Sequence, residues 1–89
     1  MTSKIKKAVI ILKKAGCSEV YLFGSQATGR ANDNSDIDLG IRGLKSHSFF
    51  GLHYDLEQAL KMNVDLVDFD YQTDLFELLQ QIGELKKIG

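Results

Sequence analysis

The chain has 89 residues, 44% of them hydrophobic and 26% charged, with a formal net charge of −1 at neutral pH. This composition argues against a disordered protein, and the near-neutral charge argues against a dedicated DNA-binding protein. The single cysteine excludes an internal disulfide and a cysteine-based zinc site. No apolar run approaches the roughly 18 residues of a membrane span, and no signal peptide is recognisable. We therefore expect one cytoplasmic domain over residues 1–89.

The first half of the chain carries one helical pattern and two strand patterns. Apolar side chains at helical spacing predict a helix over residues 3–15, with Gly16 as its stop. Residues 19–23 are β-branched and aromatic, which predicts a buried strand. Residues 24–35 carry almost no large apolar side chain and are expected to form a loop. Residues 36–42 alternate between polar and apolar types, which predicts a second strand.

The second half of the chain continues the alternation of helices and strands. Residues 48–61 are predicted to form a helix capped by Ser46 or Ser48. Residues 64–69 predict a third strand, and apolar residues within 73–87 predict a last helix. The order is α-β-β-α-β-α. We therefore expect a mixed α/β (α+β) fold, with a small mixed sheet of three or slightly more strands and helices on one face.

The loop after the first strand has the features of a phosphate site. Gly24 has no Cβ, so the backbone there can approach a ligand closely. If a helical turn begins at Ser25, its free N–H groups and the Ser25 hydroxyl form an anion site. A P-loop is a poorer match, because Arg30 and Ala31 stand where lysine and serine or threonine are required.

Two aspartates at the start of the second strand point to a metal site. Asp36 and Asp38 are two residues apart, so their side chains project from the same face of the strand. Adjacent carboxylates repel each other unless a cation is present, and Mg²⁺ or Mn²⁺ is the cation that carboxylate oxygens suit. A third acid on the third strand could complete the site. Alternation places Asp65 and Asp68 on opposite faces, and we prefer Asp65 because it lies inside the strand.

The run LFGSQATGRANDNSDIDL, together with VDLV further along, resembles the signature of the minimal nucleotidyltransferases. These are the smallest members of the DNA-polymerase-β-like nucleotidyltransferase superfamily. The matching elements are Gly24-Ser25, a spacer of ten residues, Asp36-Ile37-Asp38-Leu39 and a later Asp65. The resemblance covers essentially the whole chain and implies a polymerase-β-like fold.

The resemblance also implies an activity and a set of site residues. The expected reaction transfers a nucleoside monophosphate, AMP from ATP, to a hydroxyl acceptor with the help of two Mg²⁺ ions, for which Mn²⁺ could substitute. The expected catalytic residues and metal ligands are Asp36, Asp38 and Asp65. The expected triphosphate-binding residues are Gly24, Ser25 and Arg30, with Arg30 replacing a basic residue that relatives carry earlier in the loop.

The resemblance further implies a partner. Proteins of this group commonly accompany a small all-helical HEPN-domain toxin, and some neutralise it by attaching AMP to a tyrosine hydroxyl. We therefore expect an antitoxin in a hetero-oligomer, although the chain could also form a homodimer. A second function stays open, in which the chain neutralises its partner by stoichiometric binding with weak or absent catalysis.

Overall fold

The computed structural model describes residues 2–24, 36–45 and 48–89. Helices and strands follow one another in these ranges. They are α1 (Thr2–Lys14), β1 (Glu19–Phe23), β2 (Ile37–Arg42), α2 (Phe49–Leu60), β3 (Val64–Asp68), α3 (Thr73–Gln81) and β4 (Leu85–Lys87). Within the same ranges, no helix combines the length and the apolar character that crossing a membrane requires.

The strands of these ranges form one mixed sheet in the order β3-β2-β1-β4. β1 runs antiparallel to both β2 and β4, whereas β2 and β3 are parallel. Parallel strands cannot be joined by a tight hairpin, and here the chain crosses over through α2. This crossover brings the starts of β2 and β3 to the same end of the sheet, where β1 ends. The predicted class, a mixed α/β fold with a small mixed sheet, is confirmed.

One face of the sheet is covered by α1 and α2. Val20 and Leu22 of β1 point to this face, as do the apolar residues of β2 that alternate with its polar ones. The fully buried side chains of this cluster include Ala8, Leu12, Val20, Ile37, Leu39, Ile41 and Leu56. Ser48 caps the start of α2, and its Oγ accepts the N–H of Gly51 at 3.3 Å. Of the two candidate caps, Ser48 is therefore the one used within the described residues.

α3 packs on part of the opposite face of the sheet, so the expectation of helices on one face alone was wrong for this element. Tyr21 of β1 packs with Phe69 and with Leu79 of α3 in a second cluster. The rings of Tyr21 and Phe76 meet edge to face, with centroids 5.3 Å apart. Because β1 carries large apolar side chains on both faces, it needs a helix on each side.

The last predicted helix was too long, because α3 ends at Gln81 and the chain then forms β4. Gly83 has φ +73°, and its N–H donates to the Gln80 carbonyl at 3.2 Å. The Glu84 N–H donates to the Leu79 carbonyl at 2.9 Å. This is the hydrogen-bond pattern of a Schellman motif, which ends a helix at a left-handed glycine. Leu85 therefore lies on a strand, paired with Phe23.

Gly40 on β2 is expected to tolerate no side chain. A Cβ there would overlap the ring of Phe69, which is 1% exposed. We expect Gly40→Ala to lower the free energy of unfolding by about 3 kcal/mol, because the ring has no space to retreat into. Urea unfolding measures this, with Gly51→Ala as the control, since a Cβ at Gly51 meets Ser48 at an ordinary 3.6 Å. Equal urea midpoints for the two variants would contradict the expectation.

Candidate active site

Asp38 and Asp65 lie side by side on neighbouring strands. Each is the second residue of its strand, and the parallel register of β2 and β3 pairs them directly. Their side chains therefore project from the same face of the sheet, close enough for one carboxyl group, when protonated, to donate a hydrogen bond to the other. Asp68, the alternative third acid, pairs with Ile41 instead, and its Oδ1 accepts the N–H of Asp70 at 2.9 Å. The geometry thus brings Asp65, and not Asp68, to Asp38.

Gly24 lies against the same carboxyl group. Phe23, the last residue of β1, pairs with Asp38, so the chain leaves the sheet at Gly24 directly beside it. Gly24 has φ +70°, and a Cβ on it would stand 2.5 Å from Oδ2 of Asp38. Both the backbone conformation and the space therefore require glycine at this position. The predicted phosphate-binding glycine and two of the predicted acids meet at one end of the sheet.

The surroundings of the Asp38 carboxyl group disfavour its charged form. Its pKa is raised from 3.8 to about 6, chiefly by burial and then by the hydrogen bond and charge of Asp65, with a further contribution from Asp36. Asp38 is half-buried, whereas Asp36 and Asp65 are exposed. Three acidic side chains therefore influence one another at the end of the sheet where β1 ends.

The donor chemistry of this cluster fits a hard divalent cation. Carboxylate oxygens are the ligands that Mg²⁺ prefers, and a cation would offset both the burial of the Asp38 charge and its repulsion by Asp65 and Asp36, which together raise the pKa of Asp38. Within the ranges 2–24, 36–45 and 48–89, however, no three histidine, cysteine, aspartate or glutamate side chains are already arranged as a metal site. Ser25 and Arg30 lie outside the described residues. Phosphate binding by Gly24, Ser25 and Arg30 therefore stays a prediction. Metal binding by Asp36, Asp38 and Asp65 also stays a prediction.

The raised pKa of Asp38 makes the stability of the metal-free fold depend on pH. A folded-state pKa of about 6 against an ordinary 3.8 means that the folded chain binds this proton more tightly than the unfolded chain. The stabilisation of the folded chain by this bound proton is present at low pH and is lost as pH rises through about 6. Asp38→Asn, which is always neutral, should therefore gain Tm over the wild type as pH increases.

Thermal unfolding in a chelator measures this difference at about pH 4 and about pH 7. The expected gap between Asp38→Asn and wild type is small at the lower pH and clearly positive at the higher one. A gap of the same size at both values would show that Asp38 titrates normally in the folded chain.

Two side chains of α2 that the sequence analysis gave no role contact the start of β3. Glu57 Oε2 accepts the N–H of Val64 at 3.0 Å, and His53 Nε2 lies 2.6 Å from the Val64 carbonyl oxygen. His53 and Glu57 are four residues apart on a helix, which places them on one face. That spacing was the available sequence signal, and it does not reveal that both side chains turn toward the strand that carries Asp65.

The family model for polymerase beta nucleotidyltransferases matches residues 4–88. The chain belongs to this family. The match spans all of the described strands and includes Gly24, Asp38 and Asp65, so the acidic pair lies in a nucleotidyltransferase fold. No functionally curated protein is a significant match to the chain.

Solved structures with this nucleotidyltransferase fold include antitoxins in complex with toxins. A toxin-antitoxin complex with AMP-PNP contains a chain 28% identical to this one, with a TM-score of 0.72, covering 96% of this chain and 69% of that one. A second complex contains a tri-AMPylated Shewanella oneidensis HEPN toxin with its MNT antitoxin. Its matching chain is 22% identical with a TM-score of 0.71, covers 97% of this chain and 69% of that one, and shows the fold alone.

A third similar structure is a protein of Sulfolobus solfataricus assigned to the nucleotidyltransferases. It is 30% identical to this chain with a TM-score of 0.53, and the match covers 83% of this chain and 72% of that one. Chains of toxin-antitoxin complexes and the Sulfolobus solfataricus protein therefore share the fold of this chain.

Proposed function

We propose that this nucleotidyltransferase domain transfers a nucleoside monophosphate, AMP from ATP, to a hydroxyl group. The observation that carries the proposal is the pairing of Asp38 with Asp65 directly beside Gly24. This arrangement provides clustered carboxylate oxygens and a close approach for a phosphate at one point. Membership of the family and the similar complex with AMP-PNP support a nucleoside triphosphate as the donor.

The reaction is an in-line displacement at the α-phosphorus. The acceptor oxygen bonds to that phosphorus, the bond from it to the bridging oxygen of the β-phosphate breaks, and pyrophosphate leaves. The acceptor proton passes to the exposed carboxylate of Asp65. Gly24, with Ser25 and Arg30, binds the triphosphate and aligns it with the acceptor.

Asp36, Asp38 and Asp65 are the residues that would hold Mg²⁺, with Mn²⁺ as a substitute. When bound, the ions would supply charge neutralisation at the phosphates and would lower the pKa of the acceptor hydroxyl. Asp38 and Asp65 are already paired, and Asp36 precedes β2 closely enough to raise the pKa of Asp38. This proximity supports a shared role for the three acids.

The acceptor in this proposal is a tyrosine hydroxyl of a small all-helical HEPN-domain toxin, and the chain is its antitoxin. The similar complexes support this assignment, because their nucleotidyltransferase chains accompany a toxin and one such toxin carries AMP. A binding-only antitoxin is the second candidate. It is favoured by aromatic side chains that face solvent, since Phe50 is 80% exposed and Tyr71 86% exposed.

The experiment that separates the two candidates uses Asp36→Asn combined with Asp38→Asn. The double variant and the wild type are each mixed with a HEPN-domain toxin of the class proposed as the partner, and both complex formation and neutralisation of the toxin are measured. If neutralisation requires chemistry, the variant forms the complex but leaves the toxin active. Full neutralisation by the variant would support binding alone and contradict the enzymatic proposal.

A further inference from the structure

The start of β3 is held from outside the sheet by α2. β3 is an edge strand, so β2 pairs with it on one side only. Backbone groups on an unpaired edge need other partners when they are buried, and Val64 is 2% exposed. Glu57 accepts the Val64 N–H at 3.0 Å, and the Val64 carbonyl lies 2.6 Å from His53 Nε2. Both backbone groups of this residue are thus satisfied by α2.

The roles in this contact follow from the chemistry of the groups. A carbonyl oxygen can only accept, so His53 Nε2 carries the hydrogen and donates it to Val64. The same nitrogen is 3.6 Å from Oε2 of Glu57, so the two side chains lie next to each other at the start of β3. The Glu57 carbonyl also accepts the N–H of Lys61 at 2.9 Å, which ends α2. Glu57 therefore joins the end of the helix to the beginning of the strand.

This contact controls the backbone from which Asp65 projects. The Val64 carbonyl and the Asp65 N–H belong to one rigid peptide plane. We propose that His53 and Glu57 are positioning residues, which hold the start of β3 in register so that the Asp65 carboxyl group stays beside Asp38. The consequence for activity rests on the proposed function, whereas the consequence for the backbone does not.

The test compares four single variants in two measurements. Glu57→Ala removes the acceptor for the Val64 N–H, whereas Glu57→Gln keeps an oxygen that can accept it. His53→Ala removes the donor to the carbonyl. Glu77→Ala, on the exposed side of α3, is the matched control. Amide hydrogen exchange of Val64 and Asp65 is measured in the metal-free protein, and nucleotidyl transfer is measured as a function of Mg²⁺ concentration.

We expect Glu57→Ala to speed exchange at both amides about tenfold and to raise the half-saturating Mg²⁺ concentration by about as much. The rate at saturating Mg²⁺ should stay near that of the wild type, since Asp38 and Asp65 remain present. Glu57→Gln and Glu77→Ala should behave like the wild type in both measurements. Rescue by glutamine distinguishes positioning through the backbone contact from a general loss of packing.

Two results would overturn the proposal. The first is that Glu57→Ala changes neither the amide exchange of Asp65 nor the Mg²⁺ dependence of transfer. The second is that Glu57→Gln restores neither the wild-type exchange nor the wild-type Mg²⁺ dependence. If Glu57→Ala does not fold, His53→Ala decides by the same two measurements. If the wild type transfers no nucleotide, the proposed function fails, and hydrogen exchange at Asp65 still decides whether α2 positions the strand.

Discussion

Asp38→Asn is expected to lower nucleotidyl transfer by about 10²–10³-fold while leaving the domain folded. Asp38 is the centre of the candidate site. It is paired with Asp65, and its carboxyl group lies directly beside Gly24. The charge of Asp36 also raises its pKa. The amide has nearly the same shape but carries no charge. The loss should therefore appear as a lower kcat and a weaker response to Mg²⁺, measured with labelled nucleotide.

Asp68→Asn is the matched control for this prediction. Asp68 lies on β3, as Asp65 does, but it pairs with Ile41 rather than with Asp38. Its Oδ1 accepts a backbone N–H from Asp70, and asparagine also offers an oxygen for this bond. Transfer by Asp68→Asn should remain within about threefold of the wild type, because a surface change of this kind costs little. A similar loss of transfer in both variants would contradict a central role for Asp38.

Gly24→Ala is expected to lower transfer by about 10²-fold, and its stability loss should exceed that caused by backbone strain alone. The new Cβ would stand 2.5 Å from Oδ2 of Asp38, so either the carboxyl group or the chain after β1 must move. Either movement separates the acid from the glycine turn that we propose for phosphate binding. Transfer assays and thermal unfolding measure the two parts of this effect.

Gly83→Ala is the control that shows how much of the Gly24→Ala effect comes from backbone strain rather than from the clash with Asp38. Gly83 has φ +73°, close to the +70° of Gly24, but a Cβ there would meet nothing within 4 Å. Both variants therefore lose stability from the left-handed backbone, by about 1–2 kcal/mol. Gly24→Ala alone should lose transfer. Wild-type transfer by Gly24→Ala would show that the Gly24–Asp38 contact has no part in the reaction.

Much of the fold could be predicted because local patterns and tertiary structure agree. The alternation in residues 36–42 gave β2 and its two faces correctly, and the short helical pattern before Gly16 gave α1 within one residue at each end. The end of α3 could not be placed by periodicity, since Leu85 continues the apolar spacing of the helix. Its true end depends on Gly83 adopting a left-handed conformation, which periodicity does not report.

The candidate site was predictable in its residue types but not in its pairing. Alternation separated Asp65 from Asp68, yet it could not show that Asp65 is directly opposite Asp38. That register depends on how α2 crosses from β2 to β3, which is a tertiary property. The contacts of His53 and Glu57 with Val64 depend on the same crossover, so they were invisible in the sequence.

The most direct test of the proposed function follows label from ATP to the proposed HEPN partner. The wild-type chain is incubated with Mg²⁺, the partner and ATP labelled at either the α- or the γ-phosphate, and Asp38→Asn serves as the control. We expect the partner to gain the α-label and not the γ-label from the wild type, and to gain neither label from Asp38→Asn. Transfer of the γ-label would indicate phosphoryl transfer, and no transfer of either label by the wild type would contradict a nucleotidyltransferase acting on this partner.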